Sequence, residues 1–161
     1  MKAAARLRAP AGGEAGGAEA CAETAAYALD DQVGFHLRRA QQRATEIFGQ
    51  VMQDFAVTPT QFAALARLDD LGATSQNHLG RLTAMDPATI FSVVGRLARR
   101  GWVRQAADPN DARLVMVSLT PEGSAAARAM KAVAAEVSRR TLAPLAPEEA
   151  SQFLALLRRL G

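Results

Sequence analysis

The apolar positions Val33, Leu37, Ala40, Ala44, Ile47, Val51 and Phe55 recur at alternating spacings of four and three. That period keeps one face of a helix apolar, so a long amphipathic helix is predicted from Leu29 to Phe55, with a seam that wants a partner. Val57 and Thr58 end it. Thr58-Pro59-Thr60-Gln61 reads as a capping box, with Pro at the first helical position and Gln reaching back from the third, and opens a helix carrying Phe62, Leu65 and Leu68. After Gly72, Ser75 or Thr74 caps a short helix through Leu79 and Leu82, and Thr83-Ala84-Met85 turns the chain. Asp86 and Pro87 start the next helix, which stops at Gly101 after about Arg100. Its apolar face is Ile90, Val93, Val94 and Leu97, and the facing set is Thr89, Ser92, Arg96 and Arg99.

The pattern then changes. Leu114, Val115, Met116, Val117 and Leu119 form a β-rich run bounded by turn residues, so Leu114 to Leu119 is predicted to pair with Trp102 to Gln105 around a loop from Ala106 to Arg113. Thr120 as N-cap and Pro121 open a helix to about Leu142. A last one, from Pro147 to Leu160, has Glu148 and Glu149 in its first turn and then Phe153, Leu154, Leu156, Leu157 and Leu160. Two capped helices, a two-stranded ribbon with a polar tip and flanking long helices are the layout of a winged helix-turn-helix. The predicted fold class is therefore mainly α, a winged helix-turn-helix whose N- and C-terminal helices form a dimerisation region.

Length and composition agree. A chain of 161 residues holds one domain with a core, and with 49% hydrophobic but only 5% aromatic residues that core must come from Ala, Leu, Val and Ile, as in helical bundles. Residues 1–26 are Ala-, Gly- and Glu-rich with almost no large apolar side chain, and read as a flexible arm before a domain at 27–161. Within it, 58–120 is the winged helix-turn-helix, and 27–56 with 121–161 are the dimerisation helices. The glycines of residues 11–17 are not a phosphate loop, since no strand precedes them and no Lys follows. No run approaches the ~20 apolar residues that span a bilayer. Pro10, Gly12, Gly13 and Glu14 interrupt the basic N-terminus before an apolar signal core can form. One cysteine, Cys21, suits a reducing cytoplasm.

A net charge of +3, from 19 Lys plus Arg against 16 Asp plus Glu, permits nucleic-acid binding without requiring it. Its distribution says more, because Arg96, Arg99, Arg100 and Arg104 lie in an acid-free stretch and Arg113 follows after Asp108 and Asp111. The bland alternative is a solvated helix end, where Arg is favoured in any case. Short polar side chains near a helix start, with Arg further on, suit close approach to base edges. For Arg113 two roles stand side by side: an intraloop ion pair with Asp111 or Asp108, and entry into a minor groove. His36, Arg39 and Arg43, at spacings of three and four beside the first helix's seam, fit a carboxylate ligand, a solvated face or interhelical salt bridges. Against an enzyme, the only histidines are His36 and His78, with no metal-ligand cluster, no Gly-x-Ser-x-Gly and no phosphate loop. No cofactor is implied.

Arg99-Arg100-Gly101-Trp102-Val103-Arg104, then Asp111-x-Arg113, then Leu119-Thr120-x-x-Gly123 resemble the wing region of the MarR family of bacterial transcriptional regulators. The resemblance covers roughly Asp31 to Leu160. It implies a homodimer that binds double-stranded DNA at a near-palindromic operator with half-sites about 10 bp apart. On this pattern Asp111 braces the wing and Arg113 contacts DNA, with Thr89, Ser92, Arg96 and Arg99 on the recognition helix. The resemblance further implies a repressor released by a small anionic aromatic acid or its coenzyme A thioester, and Gly34 to Arg43 is similar to the first helix of such members. Two departures stand out: Ala112 replaces a common Arg, and Pro87-Ala88 leaves Thr89 as the first hydroxyl of its helix. Two other readings are a thiol redox sensor using Cys21, which lies between Glu19 and Glu23, and a winged helix that binds protein.

Overall fold

The computed structural model describes residues 27–111 and 113–160. The predicted arm and Cys21 lie outside them. Six α-helices and three short strands follow in order: α1 (Val33–Val51), α2 (Pro59–Leu71), β1 (Thr74–Ser75), α3 (Gln76–Leu82), α4 (Pro87–Arg99), β2 (Val103–Ala107), β3 (Val115–Leu119), α5 (Pro121–Leu142) and α6 (Pro147–Leu157). This is the predicted mainly α winged helix-turn-helix.

The helix starts form as local chemistry dictates. Thr58 Oγ1 accepts from the Gln61 N–H while the Gln61 side chain accepts from the Thr58 N–H, a complete capping box. Ser75, and not Thr74, caps α3, its Oγ accepting from the His78 N–H at 3.3 Å. Asp86 caps α4 and Thr120 caps α5, each followed by Pro. At α6 the Glu149 carboxylate accepts from the Ala146 N–H at 2.8 Å.

Several predicted boundaries move, the strands starting at Val103 and Val115 and not at Trp102 and Leu114. The helix from Leu29 to Phe55 is three pieces, because single 3-10 turns at Leu29–Asp31 and Gln53–Phe55 flank α1. The second turn ends at Ala56 in the left-handed region (φ 48°), which redirects the chain into α2. The seam spacing hides this break because Phe55 still reaches the core. In the wing, Ala106 and Ala107 are strand and not loop, paired with Met116 and Val115. The last helix stops at Leu157, three residues before Leu160.

The sheet order is β1-β3-β2, all antiparallel. β1 is two residues long, below what alternation can reveal, yet it ties the start of α3 to the wing through Thr74–Val117 and Ser75–Met116 pairing. One apolar core joins Phe48 and Met52 at the end of α1, Leu65 and Leu68 of α2, Leu79 of α3, Ile90, Val94 and Leu97 of α4, Val117 of β3, and Ala127 and Met130 of α5. The first half of α1, the second half of α5 and all of α6 contribute no fully buried side chain. Among the described residues no helix is long and apolar enough to cross a membrane.

Candidate nucleic-acid interface

The outward face of α4 is defined by what the core removes from it. Ile90, Val93, Val94 and Leu97 are buried, which leaves Ala88, Phe91, Ser92, Arg96 and Arg99 exposed. The side chains of Arg96 and Arg99 make no hydrogen bond among the described residues and both residues are exposed, so their guanidinium donors are available. Thr89 is half-buried and engaged: its hydroxyl donates to Asp86 Oδ2 at 2.6 Å and its N–H to Asp86 Oδ1 at 2.8 Å. The hydroxyl bond, followed by the backbone one, holds the Asp86 carboxyl below the ordinary carboxylate range. Thr89 therefore stiffens the helix start and keeps only acceptor capacity for a ligand.

The four arginines that look alike in the sequence divide in two. Arg100 donates to the carbonyls of Ala56 and Phe55, both at 2.9 Å, and its guanidinium lies 3.7 Å from the Trp102 ring centroid. It thus fastens the end of α4 to the 3-10 turn after α1. Arg104 donates to Ser118 Oγ across the β2–β3 pair at 2.9 Å. The partners of Arg100 and Arg104 lie 14 to 45 residues away along the chain, a distance at which charge pattern carries no signal.

The wing tip is braced from within. Asp108 Oδ1 accepts from the N–H groups of Asn110 and Asp111, at 2.8 and 3.1 Å. Asp111 holds Arg113 in a two-pronged pair, Nε to Oδ1 at 2.9 Å and Nη2 to Oδ2 at 3.0 Å, and Oδ1 also takes the Arg113 N–H. Of the two acids offered as partners for Arg113, Asp111 pairs with it and Asp108 closes the loop. Arg113 is 90% exposed, so the fork is fixed in direction while its outer face stays open. Its hydrogen bond holds the Asp111 carboxyl low, with the backbone bond adding to the shift. A depressed carboxyl stays ionised above the ordinary Asp range and is neutralised only as pH falls through the lowered value, so the brace persists into mildly acid conditions.

His36, Arg39 and Arg43 do not converge. The His36 ring lies against the Asp30 carbonyl, Arg39 sits 5.7 Å over the Phe35 ring, and Arg43 donates to the carbonyls of Arg140 and Thr141 at the end of α5. Two apolar cavities do open beside α1, one between it, α5 and α6 and the other between it and the C-terminal end of the chain. The larger, of about 610 Å³, is lined by Leu37, Ala44, Val137 and Phe153 with Arg38, Gln41 and Thr141. The smaller, of about 370 Å³, has His36 at its edge. The Thr141 hydroxyl oxygen is buried with no partner among the described residues, an uncompensated polar atom beside the larger cavity. The His78 ring accepts from Arg81, and among the described residues no three His, Cys, Asp or Glu side chains are placed to hold a metal.

A short helix, a tight turn, a second helix with an acid-free outward face and a braced wing together define a winged-helix DNA-binding protein. The model of the MarR family matches residues 57–115. Over 134 residues the chain is 41% identical to the HTH-type transcriptional repressor NicR of Pseudomonas putida, covering 83% of this chain and 85% of that one. The crystal structure of a probable transcriptional regulator from Pseudomonas aeruginosa is 49% identical with a TM-score of 0.79, over 83% of this chain and 100% of that one. BpsR of Bordetella bronchiseptica, whose DNA binding is regulated by 6-hydroxynicotinic acid, is 39% identical with a TM-score of 0.79, over 83% and 96% of the two chains. This chain belongs to the MarR family and is a DNA-binding transcription regulator.

Proposed function

We propose that the protein is a cytoplasmic, homodimeric repressor that reads a near-palindromic operator and releases it when a small anionic aromatic acid binds beside the dimer helices. Thr89, Ser92, Arg96 and Arg99 of α4 enter the major groove, and Arg113, oriented by Asp111, enters the minor groove. The observation that carries this reading is the 90% exposed guanidinium held in a two-pronged pair at the wing tip. Such a group is pre-organised for a narrow, electronegative groove.

A second copy of the chain answers the surface that the core leaves uncovered. Val33 is 68% exposed and Leu160 73%, with Leu37, Phe153, Leu154 and Leu156 exposed beside them. An apolar surface this continuous, on the helices at both ends of the domain, is what an interface between copies covers. Support for the effector comes from the apolar cavity with Arg38 and the unpartnered Thr141 hydroxyl, and from the relatives NicR, a repressor, and BpsR, which responds to 6-hydroxynicotinic acid. Arg38 supplies the positive charge that a carboxylate requires, and the His36 ring lies at the edge of the smaller cavity.

The double variant Val33→Glu/Leu160→Glu tests the dimer. Both side chains already face solvent in a single subunit, so the subunit should fold, run as a monomer by light scattering, and bind the chain's own upstream intergenic DNA about a hundredfold or more weaker through lost bivalency. A dimeric double variant would refute the interface. For the effector, 6-hydroxynicotinate, benzoate, hydroxycinnamate and coenzyme A thioesters are compared by melting temperature. A ligand that binds only the native state raises it. A flat panel would remove the aromatic-acid part of the reading.

A further inference from the structure

The outward face of α4 has two flanks, and only one of them is polar. At about 100° per residue, Ser92, Arg96 and Thr89 lie to one side of the outward line and Phe91 to the other, with Ala88, Gly95 and Arg99 between. Phe91 is 69% exposed, although the core is poor in aromatic residues and a Phe on the buried face would contribute to it. Gly95 is equally telling. A side chain there would meet nothing within 4 Å, so no contact inside the subunit requires glycine, and a mid-helix Gly weakens the helix relative to Ala. What glycine provides is an open floor beside Phe91 on a face whose other residues are Ser92, Arg96 and Arg99.

We infer that Phe91 is a specificity-determining residue that reads the 5-methyl group of a thymine in each operator half-site, with Gly95 and Ala88 leaving the room for that base edge to approach. The inference rests on the proposed seating of α4 in the major groove. Among the groups that groove presents, the thymine methyl is the apolar one, and aromatic or small apolar side chains are its natural contacts. The charge on the same face supports a nucleic-acid occupant over an apolar protein partner, because Arg99 and Arg96 lie on the side of the open floor away from Phe91 and α4 carries no acidic residue.

The test uses the full-length chain and its own upstream intergenic DNA, trimmed to the protected segment, with each thymine replaced in turn by deoxyuridine, which lacks only the methyl. Wild type should lose about fourfold per half-site at one symmetric thymine pair, roughly tenfold or more for the whole operator, as expected for one buried methyl. Phe91→Ala should lose a similar factor on the thymine operator, become indifferent to uridine at that pair, and keep its melting temperature. Gly95→Leu, which fills the open floor, should melt no lower than wild type and bind more weakly. Wild type indifferent to every uridine, or Phe91→Ala with an unchanged uridine profile, would overturn the inference while leaving α4 in the groove. No binding by wild type at any salt would overturn the DNA-reading itself and this inference with it.

Discussion

Gly123→Ala is expected to destabilise the fold by about 3 kcal/mol or more, a large loss for the addition of one carbon. The Cβ would stand 1.9 Å from the Trp102 carbonyl oxygen and 2.7 Å from its carbonyl carbon, so the obstacle is backbone that cannot rotate away. The closeness has a cause. Thr120 donates its N–H to the Trp102 carbonyl at 3.0 Å and its hydroxyl to the Gly101 carbonyl at 2.7 Å, while Oγ1 accepts from the Gly123 N–H. These bonds clamp the first turn of α5 onto the link between α4 and β2, and only a residue without a side chain fits under the clamp. Urea unfolding should show the midpoint fall, and for a chain of this size the melting temperature should drop by roughly 10 °C. The same chemical change at Gly95, where the added carbon meets nothing, should act in the opposite direction by up to about 1 kcal/mol. Equal effects at the two sites would mean that helix propensity, and not the clamp, sets the value of Gly123.

What could be read without coordinates follows the range of the forces involved. Caps at Thr58, Asp86 and Thr120 are decided by side chains three residues from the groups they bond, so residue order alone exposes them. The wing pair and the order of helices follow from period and turn chemistry. What stayed hidden depends on contacts across the fold. Arg100 and Arg104 carry the same charge as Arg96 and Arg99, yet one pair fastens structure and the other faces solvent. On the outward flank of α4, polarity singles out Ser92 and Arg96 but not Phe91, whose 69% exposure depends on how the helix packs. Gly123 is legible only as part of a motif, since its packing against a backbone twenty-one residues earlier, where a Cβ would fall 1.9 Å from the Trp102 carbonyl oxygen, leaves no trace in composition. His36, Arg39 and Arg43 are linked in the sequence by spacing along one helix. The partners of Arg43, near residue 140, come from another helix.

Arg113→Ala is expected to weaken operator binding about ten- to hundredfold while leaving the fold and the oligomeric state unchanged. An exposed ion pair contributes little to folding, so removal of this side chain separates recognition from stability more cleanly than changes nearer the core. Two further variants divide the effect. Arg113→Lys keeps the charge but cannot make the two-pronged pair, so any loss measures the value of a fixed fork. Asp111→Asn keeps Arg113 and its charge but replaces the brace with a neutral one. If orientation by Asp111 matters, this variant also binds more weakly, even though it removes a negative charge next to DNA and simple electrostatics calls for tighter binding. The sign of the Asp111→Asn effect thus decides between a brace and a charge. Fluorescence anisotropy at one fixed salt concentration, with the upstream intergenic DNA, reads all three. Wild-type affinity in Arg113→Ala would remove the wing from the interface and leave α4 as the reader, because Arg96 and Arg99 act independently of the tip.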